Sequence, residues 1–439
     1  MNRISLLLLT GLLLQSASAQ ADDTAALQAA ITESGGFLQL ENRVYEISKS
    51  INIPLNETGP VAIRGTGTTR IKMAGAGPAF HFTGTHDGSA APRTFKPEVW
   101  ERERGPVVAD LEIIGAHPEA DGIQAEGTMQ LRISGVTVRK ARHGIHLYRH
   151  NRNVIISDCN LYENEGIGLF LDDINLHQIN VANSHISYNR GGGIVCIGGV
   201  GGVRNLHITG CDIESNFHEE GPVTANILVD SRKNSSGGAE ISITGCTIQH
   251  TANSPDSANI RIFGGAQPIG NIEKPQLGHV TITGNILSDV QTNIHLEGCR
   301  GVAITGNTLW QAAEYNLLIK DCTALVMGAN VLDRNPYYNR NPKIAANKNA
   351  VAFINCQDST IQGLHVSQTR GNDAAVLFEN CRRLHILGLT ILDCEGVELV
   401  LKNCHDCLVN ACLLSDTREN AEKETLQVEG GQGNRIDGK

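Results

Sequence analysis

From about residue 120 onward, apolar residues come in pairs separated by one position, and most pairs follow a Gly or an Asn. Gly122-Ile123, Gly144-Ile145-His146-Leu147, Gly166-Ile167-Gly168-Leu169, Gly193-Ile194-Val195-Cys196, Asn226-Ile227-Leu228-Val229 and Asn293-Ile294-His295-Leu296 are instances, and the series runs on to Glu398-Leu399-Val400-Leu401. The first apolar members recur at intervals of 22 to 34 residues, so a unit near 22 residues is lengthened by loop insertions. A second strand-like segment recurs within the units, as in Ile208-Thr209-Gly210-Cys211 and Ile282-Thr283-Gly284-Asn285. Alternation with period two, β-branched residues and intervening turn residues predict short strands, with no 3.6-residue pattern competing. A strand that cannot bury its face alone must stack on the equivalent strand of the next unit. The expected fold is therefore all-β: a three-faced, right-handed parallel β-helix.

Both ends of the repeat differ from its body. Asp22-Asp23-Thr24, followed by Leu27, Ala30 and Ile31, predicts an N-capped amphipathic helix covering the open end of the solenoid. Strands are expected over 36–40 and 44–47, and the polar stretch 84–106, with Pro92, Pro97 and Glu101-Arg102-Glu103-Arg104, reads as an inserted loop. Residues 1–19 combine Arg3, an apolar run from Ile4 to Leu14 and Ala17-Ser18-Ala19, the pattern of a cleaved secretory signal. The expected mature chain is one domain over 20–439, with a cap at about 20–50 and coils over about 107–430. It is secreted or periplasmic, with no lipoprotein Cys after the signal and no second apolar stretch long enough to span a membrane. The formal charge of −10 argues against a nucleic-acid partner.

Twelve cysteines in an exported chain suggest disulfides, but their spacing suggests ladders. Cys299, Cys322, Cys356, Cys381 and Cys404 each lie five residues after the first apolar member of their unit. Cys159, Cys211 and Cys246 occupy the slot that Asn285, Asn307 and Asn330 take later. Side chains stacked in parallel fit disulfide dihedrals badly, so free, buried thiols are expected. A zinc site at Cys404-His405-Asp406-Cys407 is the alternative, with no second pair to complete it.

The opening Asp22 to Ile31, then Gly35-Gly36 and Val44-Tyr45-Glu46-Ile47, resembles the start of pectate-lyase-superfamily proteins, including polygalacturonase-like enzymes and phage tailspikes. The resemblance implies an exported protein that binds or cleaves polysaccharide in a groove along one sheet. In polygalacturonase-like proteins, Asn-Thr-Asp-Gly-Ile supplies a catalytic Asp, and Ala120-Asp121-Gly122-Ile123 carries Asp121 across. Where that family next has Asp-Asp and then Gly-His-Gly, this chain has Arg142-His143 and Asn164-Glu165-Gly166.

Aligned by the repeat, Asp121, His143 and Glu165 form a column two residues before the first apolar member, followed by Gly192, Ala225 and Ala258. Two coil rises would set Asp121 and Glu165 about 9.6 Å apart at the backbone, near the roughly 6.5–9.5 Å of an inverting acid and base pair. Arg139, Lys140, Arg142, His143, His146, Arg149, His150 and Arg152 crowd the same coils. In the elimination reading, Arg142 or Lys140 neutralises a uronate carboxylate while His143 or another base removes the C5 proton. His146 and Arg149 would hold the acidic chain. Asp172 and Asp173, placed at the slot of His150, would bind Ca²⁺ or pair with His150 and Arg149, and His177 lies on the neighbouring coil. No cofactor is otherwise required. The chemistry expected is cleavage of an acidic polysaccharide, by elimination or hydrolysis, by a monomer or homo-oligomer. The rival is a non-catalytic adhesin or structural solenoid, supported by outward apolar Leu228, Leu318, Leu377 and Val400.

Overall fold

A computed structural model describes residues 21–437 apart from 90, 234–237, 269, 420 and 422–423. The secretory signal falls outside the described residues. The chain winds as a parallel solenoid with three strand segments per coil, for example Thr292–Glu297, Cys299–Thr305 and Thr308–Trp310. These pair in parallel with Tyr315–Lys320, Thr323–Met327 and Asn330–Leu332 of the next coil. Alternate residues point inward, so Ile294, Leu296, Val302, Ile304 and Leu309 are buried, and their equivalents in other coils continue the same core. Phe353 and Phe378 stack in register with ring centroids 4.8 Å apart.

The helix Thr24–Glu33 closes the N-terminal end by burying Leu27 and Ile31. Its cap differs from the expectation. The Asp23 carboxylate accepts from Arg43 and from the Glu46 amide, and Asp22 Oδ1 accepts from the Thr24 amide at 2.9 Å. The segment between the strands Gly77–Thr83 and Val107–Gly115 is anchored rather than loose, because buried Glu103 accepts from both the amide and hydroxyl of Thr85 at 2.7 Å. It reaches His150, whose Nε2 donates to the Gly88 carbonyl at 2.8 Å.

All twelve cysteines are free thiols, and all but Cys412 are buried. Cys299 to Cys404 form the expected column, each Sγ donating to a backbone carbonyl. Cys404 and Cys407 thus belong to the core and not to a zinc site. A longer polar ladder runs beside them: Asn164, Asn189, Asn216, Asn226, Asn259, Asn293 and Asn316, each amide donating to the next at 2.7–2.8 Å. The first three sit in turns and the last four at strand starts. In the turn-ladder coils the strand starts are Gly144, Gly168 and Gly193, where an added Cβ would lie 3.3, 2.7 and 2.8 Å from the amide nitrogens of Asn164, Asn189 and Asn216. Glycine makes the space that the asparagine fills.

Candidate active site

The ladder fixes the turn that presents the site. Ala141 donates its amide to Asn164 Oδ1, while Lys140, Glu163 and Tyr188 hold left-handed backbone at φ 56°, 52° and 59° in successive coils. Those turns return the chain to the first sheet, where Ile123, Ile145 and Leu169 are in register. This register corrects the column read from the sequence. Leu169, not Ile167, is the member that pairs with Ile145, so the column runs Asp121, His143, Ile167 and Gly192. Glu165 falls in the turn instead, its amide on the Ala141 carbonyl and its exposed carboxylate 3.5 Å from Arg190 Nε. The physical cause is the Gly-Ile-Gly-Leu alternation, which offers two apolar frames; the buried one is chosen by packing.

Asp121 is 1 % exposed and accepts from Arg142 Nε at 2.9 Å, from Arg142 Nη2 at 2.6 Å and from the His143 amide at 3.0 Å. That bidentate hold raises the Arg142 guanidinium above its ordinary pKa. Arg142 keeps 45 % of its side chain exposed. The basic stretch is largely compensated: Arg139 pairs with Glu112 and Arg149 with Glu126 at 3.2 Å, Arg149 also lying over the Tyr148 ring. Arg152 is buried on the carbonyls of Asn151 and Asn175. Lys140 is exposed in the turn.

His143 Nδ1 accepts the amide proton of Ile167 at 3.1 Å, which leaves the ring's own proton on Nε2. Burial pushes its pKa down to about 4, with Arg142 and His146 adding to the drop and Asp121 opposing it. A Cβ on Gly166 would come 2.9 Å from this ring, so glycine is required there. His146 has the same tautomer but engages the other nitrogen. Its Nε2 donates to Asp172 Oδ2 at 3.1 Å, leaving Nδ1 a free acceptor. Phe170 stacks on His146 at 5.0 Å and 11°, and the two imidazole centroids are 5.8 Å apart.

Asp172 is paired in register with Tyr148 rather than His150, because the coil is framed on Leu169 and not Ile167; the strand bulges only after this pair. Asp173 turns away in left-handed backbone at φ 44° and lies against Gly199. The two carboxylates therefore do not converge as Ca²⁺ ligands. His177 stacks between Arg152 and Arg204 beyond the bulge, off the face that carries His146. Phe170 and Tyr148, the aromatic neighbours of the histidines, escaped the sequence reading although Phe170 occupies the outward slot next to His146.

The right handed beta helix region family matches residues 112–248, and the periplasmic copper-binding protein (NosD) family matches residues 230–426. Among the described residues, no donor cluster matches the copper in that second name. Cysteines of the span donate into backbone carbonyls, Cys246 and Cys394 from within the core and Cys412 from its edge, and among the described residues no three His, Cys, Asp or Glu side chains gather. No curated protein sequence matches the chain. Among solved structures, a tailspike protein of E. coli bacteriophage HK620 in complex with a pentasaccharide has a TM-score of 0.56 at 11% identity, covering 95% of this chain and 77% of that one. The mannuronan C-5 epimerase AlgE4 A-module of Azotobacter vinelandii has 0.52 at 13%, covering 95% and 96%. Tailspike protein 3 of bacteriophage CBA120 has 0.51 at 14%, covering 96% and 59%. No helix among the described residues is long and apolar enough to cross a membrane. From coil-to-coil register to these likenesses, the findings agree that the chain is a right-handed parallel β-helix protein.

Proposed function

We propose that this protein acts on an acidic polysaccharide by removing the proton at C5 of a uronate unit. The observation that carries the reading is a pair of neighbouring imidazoles, both protonated on Nε2, whose partners leave opposite nitrogens free: Nε2–H on His143 and bare Nδ1 on His146. His146, oriented by Asp172, offers a bare Nδ1 that takes the C5 proton, and the Asp172 carboxylate stabilises the imidazolium formed. His143, held neutral, offers Nε2–H to the uronate carboxylate as negative charge moves onto its oxygens. His143 is thus the proton donor to the carboxylate and not the base. Asp121 positions Arg142, whose exposed guanidinium edge adds positive charge beside the same group. In elimination, the electrons of the C5–H bond form the C4–C5 double bond, the C4–O bond breaks, and the proton on His146 returns to the departing oxygen. The name of one structural neighbour refers to epimerisation at C-5 of mannuronan, which involves the same carbon. Inverting hydrolysis has less support, because Asp121 is buried on Arg142 and Glu165 lies outside the column.

The test is His146→Gln against wild type on uronate polymers in D₂O. Wild type should incorporate deuterium at C5 or raise absorbance at 235 nm, and His146→Gln should lose about 10²–10⁴ of that rate. Asp172→Asn should lose kcat more than KM. New reducing ends without unsaturation or C5 exchange would overturn the reading, as would full activity in His146→Gln.

A further inference from the structure

Beside His143, the turn surface opens into two adjoining pockets of about 540 and 380 Å³ that share Glu165, Arg190 and His218 as walls. The smaller is lined by His143 itself and floored by Gly166 and Gly191, bare backbone over which a ring can lie. The larger presents Tyr188, 45 % exposed and edge-on to Tyr162 with centroids 5.3 Å apart, together with half-buried Phe217. Aromatic faces beside hydrogen-bonding side chains suit a sugar ring, whose own faces are apolar and whose rim is polar.

The charge of the pockets is unlike that of a uronate site. Three carboxylates, Glu163, Glu165 and Glu220, face two fixed cations, Lys140 and Arg190. Arg190 is already engaged, its Nε near Glu165 and its Nη2 on His218 Nε2. An anionic sugar there would meet like charge from three sides, with Lys140 alone to oppose it, whereas hydroxyls can donate to the carboxylates and accept from Arg190 and Lys140.

We infer that the turn pockets hold an uncharged sugar unit next to the uronate bound at His143 and His146. The substrate is then a mixed chain, and it leaves the sheet face across the turn. This rests on the reading of His143 and His146 as the reacting centre.

Binding separates the two claims, because His146→Gln can be titrated whether or not proton transfer occurs. That variant would be titrated calorimetrically with two probes: an alternating glucuronate–N-acetylhexosamine hexasaccharide and hexagalacturonate. The alternating probe should bind about tenfold more tightly, and adding exposed-site Tyr188→Ala should weaken it about tenfold with an unchanged circular dichroism spectrum. Adding Glu165→Gln and Glu220→Gln should bring hexagalacturonate up several-fold. Equal affinity for the two probes, no binding of the alternating one, or indifference to Tyr188→Ala would overturn the pocket assignment. The C5-exchange test would stand or fall by itself.

Discussion

At the scale of single residues, hydrogen bonds decide which nitrogen of a histidine reacts. His143 and His146 are three residues apart on one strand end, yet a backbone amide claims Nδ1 of the first and a carboxylate claims Nε2 of the second. Residue type alone carries no such distinction. Burial also sets how these rings respond to acid. His143, His150 and His295 are pushed down to about 4, in each case chiefly by burial, with Arg152 adding for His150 and Arg261 for His295. An unfolded chain takes up these protons near pH 6.5, so between about 6.5 and 4 the unfolded state binds more protons than the folded one. Stability is then complete above about 6.5 and falls as pH drops toward 4. Melting temperature should decline over that window. His295→Gln, at a ring only 12 % exposed, should flatten the decline by up to about 1.4 kcal/mol per pH unit.

At the scale of elements, the ladders are unequal. Asn259 sits between Asn226 and Asn293 and bonds both amides as well as the Ser288 carbonyl. Its removal leaves buried polar partners unsatisfied, at about 1–3 kcal/mol each. Cys356, in a neighbouring column, makes weak Sγ contacts to carbonyls and otherwise behaves as a small apolar group. Asn259→Ala should therefore cost about 2–4 kcal/mol and Cys356→Ala about 1–2 kcal/mol, read as the shift in guanidinium midpoint. Reversal of that order would mean that packing volume, and not amide satisfaction, holds the coils in register. The strand-start asparagines were visible as repeat markers. Asn164, Asn189 and Asn216 were missed, although each lies three residues after a buried residue of the third strand, Leu161, Ile186 and Ile213, and that constant spacing is the signal that could have found them.

For the whole molecule, a solenoid's weak points are its ends, where a coil has a neighbour on one side only. The helix Thr24–Glu33 covers the first coil with Leu27 and Ile31, and Gln28 bonds both the amide and the carbonyl of Asn52 like an added strand. Leu27→Asp with Ile31→Asp should lift the helix and expose the first coil's edge. The expected outcome is concentration-dependent association by light scattering, with the C5 chemistry retained in the soluble fraction. A monodisperse variant would show that the edge is protected by some other segment.

Period-two alternation, the spacing of coils and the position of the cysteines were determined by the sequence itself, because each reflects a local rule: which face of a strand is apolar, and where a turn must fall. The helix at residue 24 and the two strands after it were legible for the same reason. The tertiary structure decided what depends on neighbours one coil away. Gly166-Ile167-Gly168-Leu169 satisfies the repeat in two frames, and only stacking against Ile145 selects Leu169 and sends Glu165 to the turn. Asp121 reads as a catalytic carboxylate in one dimension and becomes a buried anchor once Arg142 folds over it. The base was read as His143 or another group, and His146 as a binding residue. Their roles exchange because the nitrogen left free follows from the partner each ring meets, and that partner lies on the next coil.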